Sequence, residues 1–558
     1  MNVEEVQRRL WEQSKAHKQH KLSDMPLFPV NAYDGRIRNL MDLMHNPTWI
    51  QAAAEKVIHR SKGKAPGVDG VKTHEFERNL ARNIESLRLE LKHGTYQPQP
   101  LRRVMIPKAN GKLRPLGIPC LRDKVVQEAM RMALEPIFEV EFHENSFGFR
   151  PNRSTHHAVY CCQHLMAVKF TWVIEGDVKS CFDEISHAAI LQCIREKVMD
   201  NKFIKLIQLF LKAGVVMDGK IHPTVKGVPQ GGVISPLLAN VVLNKLDWFL
   251  HSKGHHGQAG KRIRVHGKPN IRFARYADDW CVFLTRSNKR NALKLRNEIR
   301  SFLNKECGLQ LSEEKTHITH ARDGFEFLGF RLGVSVGKHG KSVSKIKVTD
   351  KAVKNVRQLI TETMRHKPMQ VGIDTRIYET NAVIRGWSNY YKIAHDYNAT
   401  ANRLDHYAFW VTVKMICRKY DISTAQCFKK FYRGCTIDIL CKCKLAKFTA
   451  TKMSMNYRGP EPYEPLKALY VTDEELEVDF QTHGKNRPGS GLLKLQAIVR
   501  DGNRCVKCGI SVMLKTSHAD HIRPVKCFAN LAQANTLENI QILCLECHKA
   551  KSREDRKG

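Results

Sequence analysis

Apolar positions change their period several times along the chain, and the changes mark its elements. Residues 1–60 carry amphipathic helical spacing, as in Leu40-Met41-Asp42-Leu43-Met44 and Trp49-Ile50…Val57-Ile58. Within Arg102–Pro119 two apolar strands flank Asn110-Gly111, a hairpin signal. A helix over roughly 122–139 follows, and Ser154 or Thr155 can cap the next, which Ala158-Val159-Tyr160 begins. Trp172–Gly176 reads as an apolar strand running into Asp177, and Phe273–Leu284 reads as strand, turn, strand about Asp278-Asp279. A helix from Leu237 to about Leu250 lies between them, and residues 350–445 read as helices rich in Lys, Arg and aromatics. Residues 446–490, with Gly459-Pro460-Glu461-Pro462 and Asp473-Glu474-Glu475, read as a weakly structured connector, after which Leu492–Arg500 starts a new helix.

Length and charge narrow the class. At 558 residues the chain predicts three or more domains. Apolar content of 42% and charged content of 26% are ordinary for globular protein. The net charge is not: 92 Lys and Arg against 55 Asp and Glu leave +37, an excess that a polyanionic partner would neutralise. No run of 18 apolar residues exists and Met1-Asn2-Val3-Glu4-Glu5 lacks a signal pattern, so an intracellular nucleic-acid-handling protein with no membrane partner is expected. Seventeen scattered cysteines, with Cys161 and Cys162 adjacent, suit a reducing compartment. Cys435, Cys441 and Cys443 lack an evident fourth ligand and are read as thiols.

Candidate chemistry sits at the ends of these elements. A bare Asp-Asp is most often a solvated turn, but Asp278-Asp279 follows Tyr276-Ala277 and precedes a strand, and Asp177 has a matching context. Adjacent side chains diverge at a hairpin tip, so one of the pair is expected to converge with Asp177. Carboxylates from separate strands can hold two hard cations for in-line phosphoryl transfer. Lys108, Lys112 and Arg114 cluster near the Asn110-Gly111 tip, suited to a triphosphate. Lys62–Val71 is a basic, Gly/Pro-rich turn that would let backbone approach phosphate. Aromatics between cations, as in Ile384–Lys392, can stack on bases or fill a helical core. Cys505-x-x-Cys508 and Cys544-x-x-Cys547 form a tetrahedral thiolate zinc site, which would supply much of the folding energy of a small module.

Tyr276-Ala277-Asp278-Asp279, with Lys226–Leu237, Leu311–Thr316 and Phe325–Phe330 in order around it, resembles the group II intron-encoded reverse transcriptase/maturases that carry a C-terminal HNH endonuclease. That resemblance implies a multidomain α+β protein: an N-terminal extension and start of the fingers over 1–95, and fingers and palm with an antiparallel palm sheet over 96–340. An α-helical thumb, or maturase domain, would cover 341–445, a linker or DNA-binding segment 446–490, and a zinc-stabilised ββα-metal HNH domain 491–558. It assigns Asp177, Asp278 and Asp279 to polymerase catalysis, with Mg2+ on Asp177 and Asp278. Lys108, Arg114, Phe182, Gln230 and Lys315 would meet the nucleotide, Phe182 by excluding a 2′-hydroxyl and Lys315 as proton donor to pyrophosphate. Arg150, Arg153, Trp387, Tyr390 and Tyr391 would bind RNA. In the C-terminal module His521 would be the general base, Asn539 would fix its loop, and Asp520 and His548 would hold a divalent cation, beside Zn2+ on Cys505, Cys508, Cys544 and Cys547. The partners implied are intron RNA, target DNA and dNTPs, in bacterial cytoplasm and nucleoid or an organelle matrix. The implied function combines target-primed reverse transcription, assistance to splicing, and nicking of DNA; the alternative is a non-mobile splicing factor with relic sites.

Overall fold

The computed structural model describes residues 1–22, 36–61, 63, 65–107, 113–217, 219–254, 270–337, 342–433, 436–439, 443–454, 459–463, 497, 500–501, 504–510, 517–523 and 536–554. The chain divides into two units, Met1–Pro465 and Leu466–Gly558. Lys108, Cys435, Cys441 and most of the expected 492–500 helix lie outside the described residues.

In the first unit the N-terminal helices form as their periodicity requires. Pro47–Ser61 buries Trp49, Ile50, Ala53, Ala54, Val57 and Ile58, one helical face. This face lies on the helix Leu121–Glu139, and Trp49 Nε1 donates to the Ala129 carbonyl at 3.1 Å. Two antiparallel strands follow the pattern of the fingers hairpin, β1 (Leu101–Pro107) and β2 (Leu113–Ile118), paired from Arg102↔Ile118 to Pro107↔Leu113. The next strands are β3 (Trp172–Asp177), β4 (Val215–Met217), β5 (Lys220–His222), β6 (Asn270–Tyr276), β7 (Asp279–Thr285) and β8 (His317–His320). They build a fingers sheet ordered β2-β1-β4-β5 and a palm sheet ordered β6-β7-β3-β8.

The palm sheet is a shared wall between two cores. Alternate side chains of a strand point to opposite faces. Ile174, Trp280, Val282 and Leu284 join the core of the N-terminal and palm helices, whereas Val173, Cys281 and Phe283 join the core reaching the thumb. This two-sided burial explains the continuous apolar run of β7.

Beyond the palm, β9 (Phe325–Phe327), β10 (Phe330–Val336) and β11 (Ser342–Val348) form a three-stranded sheet, followed by the helices Asp350–Arg365, Ile373–Tyr391, Tyr397–Tyr420 and Thr424–Phe431. The all-helical expectation for 350–445 fails at its end, where the short strands Tyr432–Arg433, Thr436–Ile439 and Cys443–Lys444 pair. The β-branched Thr436, Ile437 and Ile439 favour this. The described start of the expected connector is also well anchored. Phe448 is buried, its amide donates to Asp405, and its carbonyl accepts from Tyr397 Oη at 2.7 Å. The Ser454 carbonyl accepts from Tyr160 Oη at 3.2 Å, and the Pro462 carbonyl from Asn152 Nδ2 at 3.3 Å.

The second unit pairs the strands Ser517–His521 and Ile540–Cys544 antiparallel, from Ser517↔Cys544 to His521↔Ile540. The helix Leu545–Glu554 completes a ββα order around a small core that includes Ala497, Ile540, Ile542 and Leu543.

Candidate polymerase and nuclease sites

β3 and β7 place Asp177 directly opposite Asp279. Tyr276 pairs with Asp279, so Ala277 and Asp278 form the turn between β6 and β7. Ala277 has φ 58°, the left-handed value that tight hairpin turns demand. Two braces hold it there. Gly148 comes so close that a Cβ on it would lie 2.3 Å from the Ala277 amide nitrogen, and the Ala277 carbonyl accepts from Arg275 Nη1 at 2.9 Å.

Charge at this corner is crowded. Burial raises the Asp278 carboxyl, and the Asp177 charge raises it further. Asp279 is pushed up to about 7 by the protein mass around it, then by Asp278 and Asp177. Lys315 Nζ lies 2.6 Å from Asp177 Oδ2, and this bond raises the pKa of the lysine. Asp278 and Asp279, held against ionisation next to Asp177, give a set of hard carboxylates that fits a divalent-cation site. Lys315, expected near a triphosphate, rests on the Asp177 carboxylate.

The residues expected to meet the nucleotide lie on loops laid over one another. Val228 N donates to the Phe182 carbonyl at 2.6 Å, and Gly117 N to the Gln230 carbonyl at 2.6 Å. Arg114 Nε reaches Gln230 Oε1 at 3.0 Å, so two of the expected nucleotide residues touch each other. Phe182 is half-buried, edge-on to Phe149 with centroids 6.4 Å apart. Phe149, which sequence reasoning gave no role, is 55% exposed with φ 57°, a strained apolar residue beside Tyr276 and Phe182.

Several expected RNA contacts are corrected. Arg150 is buried, bound to Glu139 at 2.9 Å and to the carbonyls of His143 and Ser146, so it holds a turn together rather than facing phosphate. Tyr390 stacks on Phe330 at 5.3 Å and donates to the Leu328 carbonyl at 2.8 Å. Trp387 and Tyr391 complete this cluster with Tyr397 and Phe448. These partly buried aromatics cement the thumb to the β9–β10 turn, so packing accounts for the cluster. Arg153 lies over Phe147 with its guanidinium bonded to the Glu144 carbonyl. In the Lys62–Val71 turn, Gly67 serves a close approach to Cys120, where a Cβ would meet backbone at 2.7 Å.

In the second unit the sulfurs of Cys505, Cys508, Cys544 and Cys547 lie within 4.8 Å of one another, with Cys508 Sγ and Cys544 Sγ 3.7 Å apart. A tetrahedral metal with bonds of about 2.3 Å separates its sulfurs by about 3.8 Å, so this donor set fits zinc. His521 is buried at the end of its strand. Asn539 clamps the turn after it, accepting from Arg523 N at 2.8 Å and donating to the Arg523 carbonyl at 3.2 Å. His548 stacks on His518 with centroids 4.8 Å apart. Lys551, unnoticed in the sequence, lies 2.9 Å from Asp520 Oδ2 and 2.7 Å from the His521 carbonyl. Its spacing of three from His548 on a helix was the available signal.

An acid-tipped antiparallel palm and a ββα module in one chain define a polymerase fused to a nuclease. Comparison with known proteins agrees: the reverse transcriptase (RNA-dependent DNA polymerase) family matches residues 106–332, the group II intron maturase-specific domain 353–432, and HNH endonuclease 505–554. Protein YkfC of Escherichia coli K12 is 41% identical over 327 residues, covering 55% of this chain and 86% of that protein. Group II intron-encoded protein LtrA of Lactococcus lactis is 31% identical over 429 residues, covering 63% and 70%. The chain belongs to the group II intron-encoded reverse transcriptase/maturases with an HNH domain, an RNA-directed DNA polymerase and endonuclease whose maturase region implies binding of intron RNA. No described helix is long and apolar enough to cross a membrane.

Proposed function

We propose that Asp177, Asp278 and Asp279 are the polymerase centre and that it copies intron RNA from a primer released by the HNH module. The observation that carries this is the cross-strand pairing of Asp177 with Asp279 beside a turn where Asp278 and Asp279 are held against ionisation. Magnesium, when bound there, would supply Lewis-acid stabilisation of the transferring phosphoryl group. Lys108 and Arg114 bind the dNTP phosphates, Gln230 lies against the nucleotide, and Phe182 closes the space a 2′-hydroxyl would need. Lys315 leaves Asp177 and donates a proton to departing pyrophosphate.

In the module at the other end, His521 takes the proton of the attacking water on target DNA, held by Asn539 through the Arg523 turn. Asp520 and His548 are the cation ligands, and zinc on the four cysteines is structural. Arg153 contributes to RNA binding from the palm. The domain scheme is fingers and palm to about 340, thumb to 445, and nuclease from 491, in the cytoplasm and nucleoid or an organelle matrix. The test is extension of a DNA primer on an RNA template with Mg2+ and dNTPs, wild type against Asp278→Ala. Extension lost in the variant is expected; no extension by folded wild type would leave the splicing-factor reading.

A further inference from the structure

We propose that Asp183 is a positioning residue for the incoming nucleotide, acting through the carboxamide of Gln230. This rests on the reading of Asp177 and Asp278 as the polymerase centre. Gln230 Nε2 donates to Asp183 Oδ2 at 3.2 Å, and Gln230 Oε1 accepts from Arg114 Nε at 3.0 Å. A carboxylate accepts only and a guanidinium donates only, so the two partners together allow one orientation of the amide. Each partner opposes the flipped amide, which would set its oxygen against the Asp183 carboxylate and its nitrogen against the Arg114 guanidinium.

The backbone makes the arrangement rigid. Lys226–Gln230 is pinned to the 182–185 turn by Val228 N to the Phe182 carbonyl and Gly227 N to the Ile185 carbonyl, at 2.6 and 2.7 Å. A Cβ at Gly227 would lie 2.6 Å from the Asp183 carbonyl oxygen, and one at Gly231 would lie 2.1 Å from the Gly117 oxygen. Lys226 and Glu184 close the far side with an ion pair of 2.6 Å. Asp183, Gln230 and Arg114 therefore form a polar chain from the turn after Asp177 to fingers strand β2. Through it Asp183 presets the donor and acceptor that Gln230 offers a nucleotide. It also keeps Arg114 at the site before triphosphate arrives.

The test is steady-state primer extension by the full chain. Asp183→Ala is expected to raise KM for dNTP about tenfold while kcat changes by less than about threefold, the loss of one charge-assisted hydrogen bond. Gln230→Glu sets two carboxylates against each other and should lower kcat/KM by at least about tenfold. Adding Asp183→Asn removes the repulsion but leaves the side chain at position 230 with acceptors only, so the double variant should regain at least about threefold over Gln230→Glu and still fall short of wild type. A purely structural Asp183 would instead lower kcat and the folded fraction while leaving KM for dNTP unmoved. Effects that simply multiply in the double variant, or an Asp183→Ala enzyme with unchanged KM, would overturn the proposal. Because wild type runs in the same assay, these outcomes are distinct from failure of the polymerase reading, in which wild type itself would not extend.

Discussion

Arg275 and Asp247 form a buried two-pronged ion pair in the palm, with Nε–Oδ1 at 2.7 Å and Nη2–Oδ2 at 2.6 Å. The remaining guanidinium hydrogens reach Asn240 Oδ1, Ser146 Oγ and the Ala277 carbonyl, at 2.9, 2.8 and 2.9 Å. One side chain thus joins the helix Ser235–Lys253 to the turn that bears Asp278. Asp247→Ala would leave a buried cation without its counter-charge, which costs about 3–5 kcal/mol. All seven tryptophans precede residue 466, so urea unfolding followed by tryptophan fluorescence reports on this unit. A loss below about 1 kcal/mol would refute the bracing role.

The acid corner predicts a pH dependence. The Asp279 carboxyl titrates near 7 in the fold against an ordinary 3.8, because of its surroundings first and Asp278 and Asp177 next. Between those values the folded chain keeps a proton that the unfolded chain releases, so without metal this group lowers stability as pH rises through that window. A divalent cation on the neighbouring Asp177 and Asp278 offsets the charges that raise Asp279 and so favours release of the same proton. Affinity for Mn2+, measured by calorimetry, should rise about tenfold from pH 6 to 8, and Asp279→Asn should flatten the rise. A pH-independent wild-type affinity would contradict the assignment.

Phe182 makes a steric prediction. Its half-buried ring is edge-on to Phe149, which limits where it can move. Phe182→Ala opens that space, and use of ribonucleotides relative to deoxynucleotides should rise about 10- to 100-fold in single-nucleotide extension. Unaltered discrimination would mean that another group sets sugar choice.

What the sequence revealed and what it hid divide by range. Asp177 and Asp278 were visible because apolar strand periods lead directly to them, and the cysteine knuckles because four ligands share a fixed spacing. Arg275 was hidden because its partner Asp247 is 28 residues away on a helix. Arg150 looked like a phosphate ligand by charge, yet Glu139, 11 residues earlier, had claimed it. Trp387, Tyr390 and Tyr391 lay within reach of a better reading. Spacings of three and four put all three on one helical face, and a clustered aromatic face on a helix is the face that packs.

The final prediction concerns zinc. The core of the second unit includes only a handful of buried apolar residues among those described, Ala497, Ile540, Ile542 and Leu543, with Cys505 at its edge. A module of fewer than about 70–80 residues rarely builds a core that offsets its conformational entropy, whereas zinc bound by thiolates contributes on the order of 10 kcal/mol. Cys544 stands at the junction of the second strand and the helix, so its loss should loosen the elements that place His521 and His548. Cys544→Ser is therefore expected to lose bound zinc by elemental analysis, lose DNA nicking, and become protease-sensitive after residue 466, while primer extension persists. Mild chelation should separate the two metals, with nicking restored by Mg2+ alone as long as zinc is retained. A variant that kept nicking without zinc would show that the four thiols do not hold the module together.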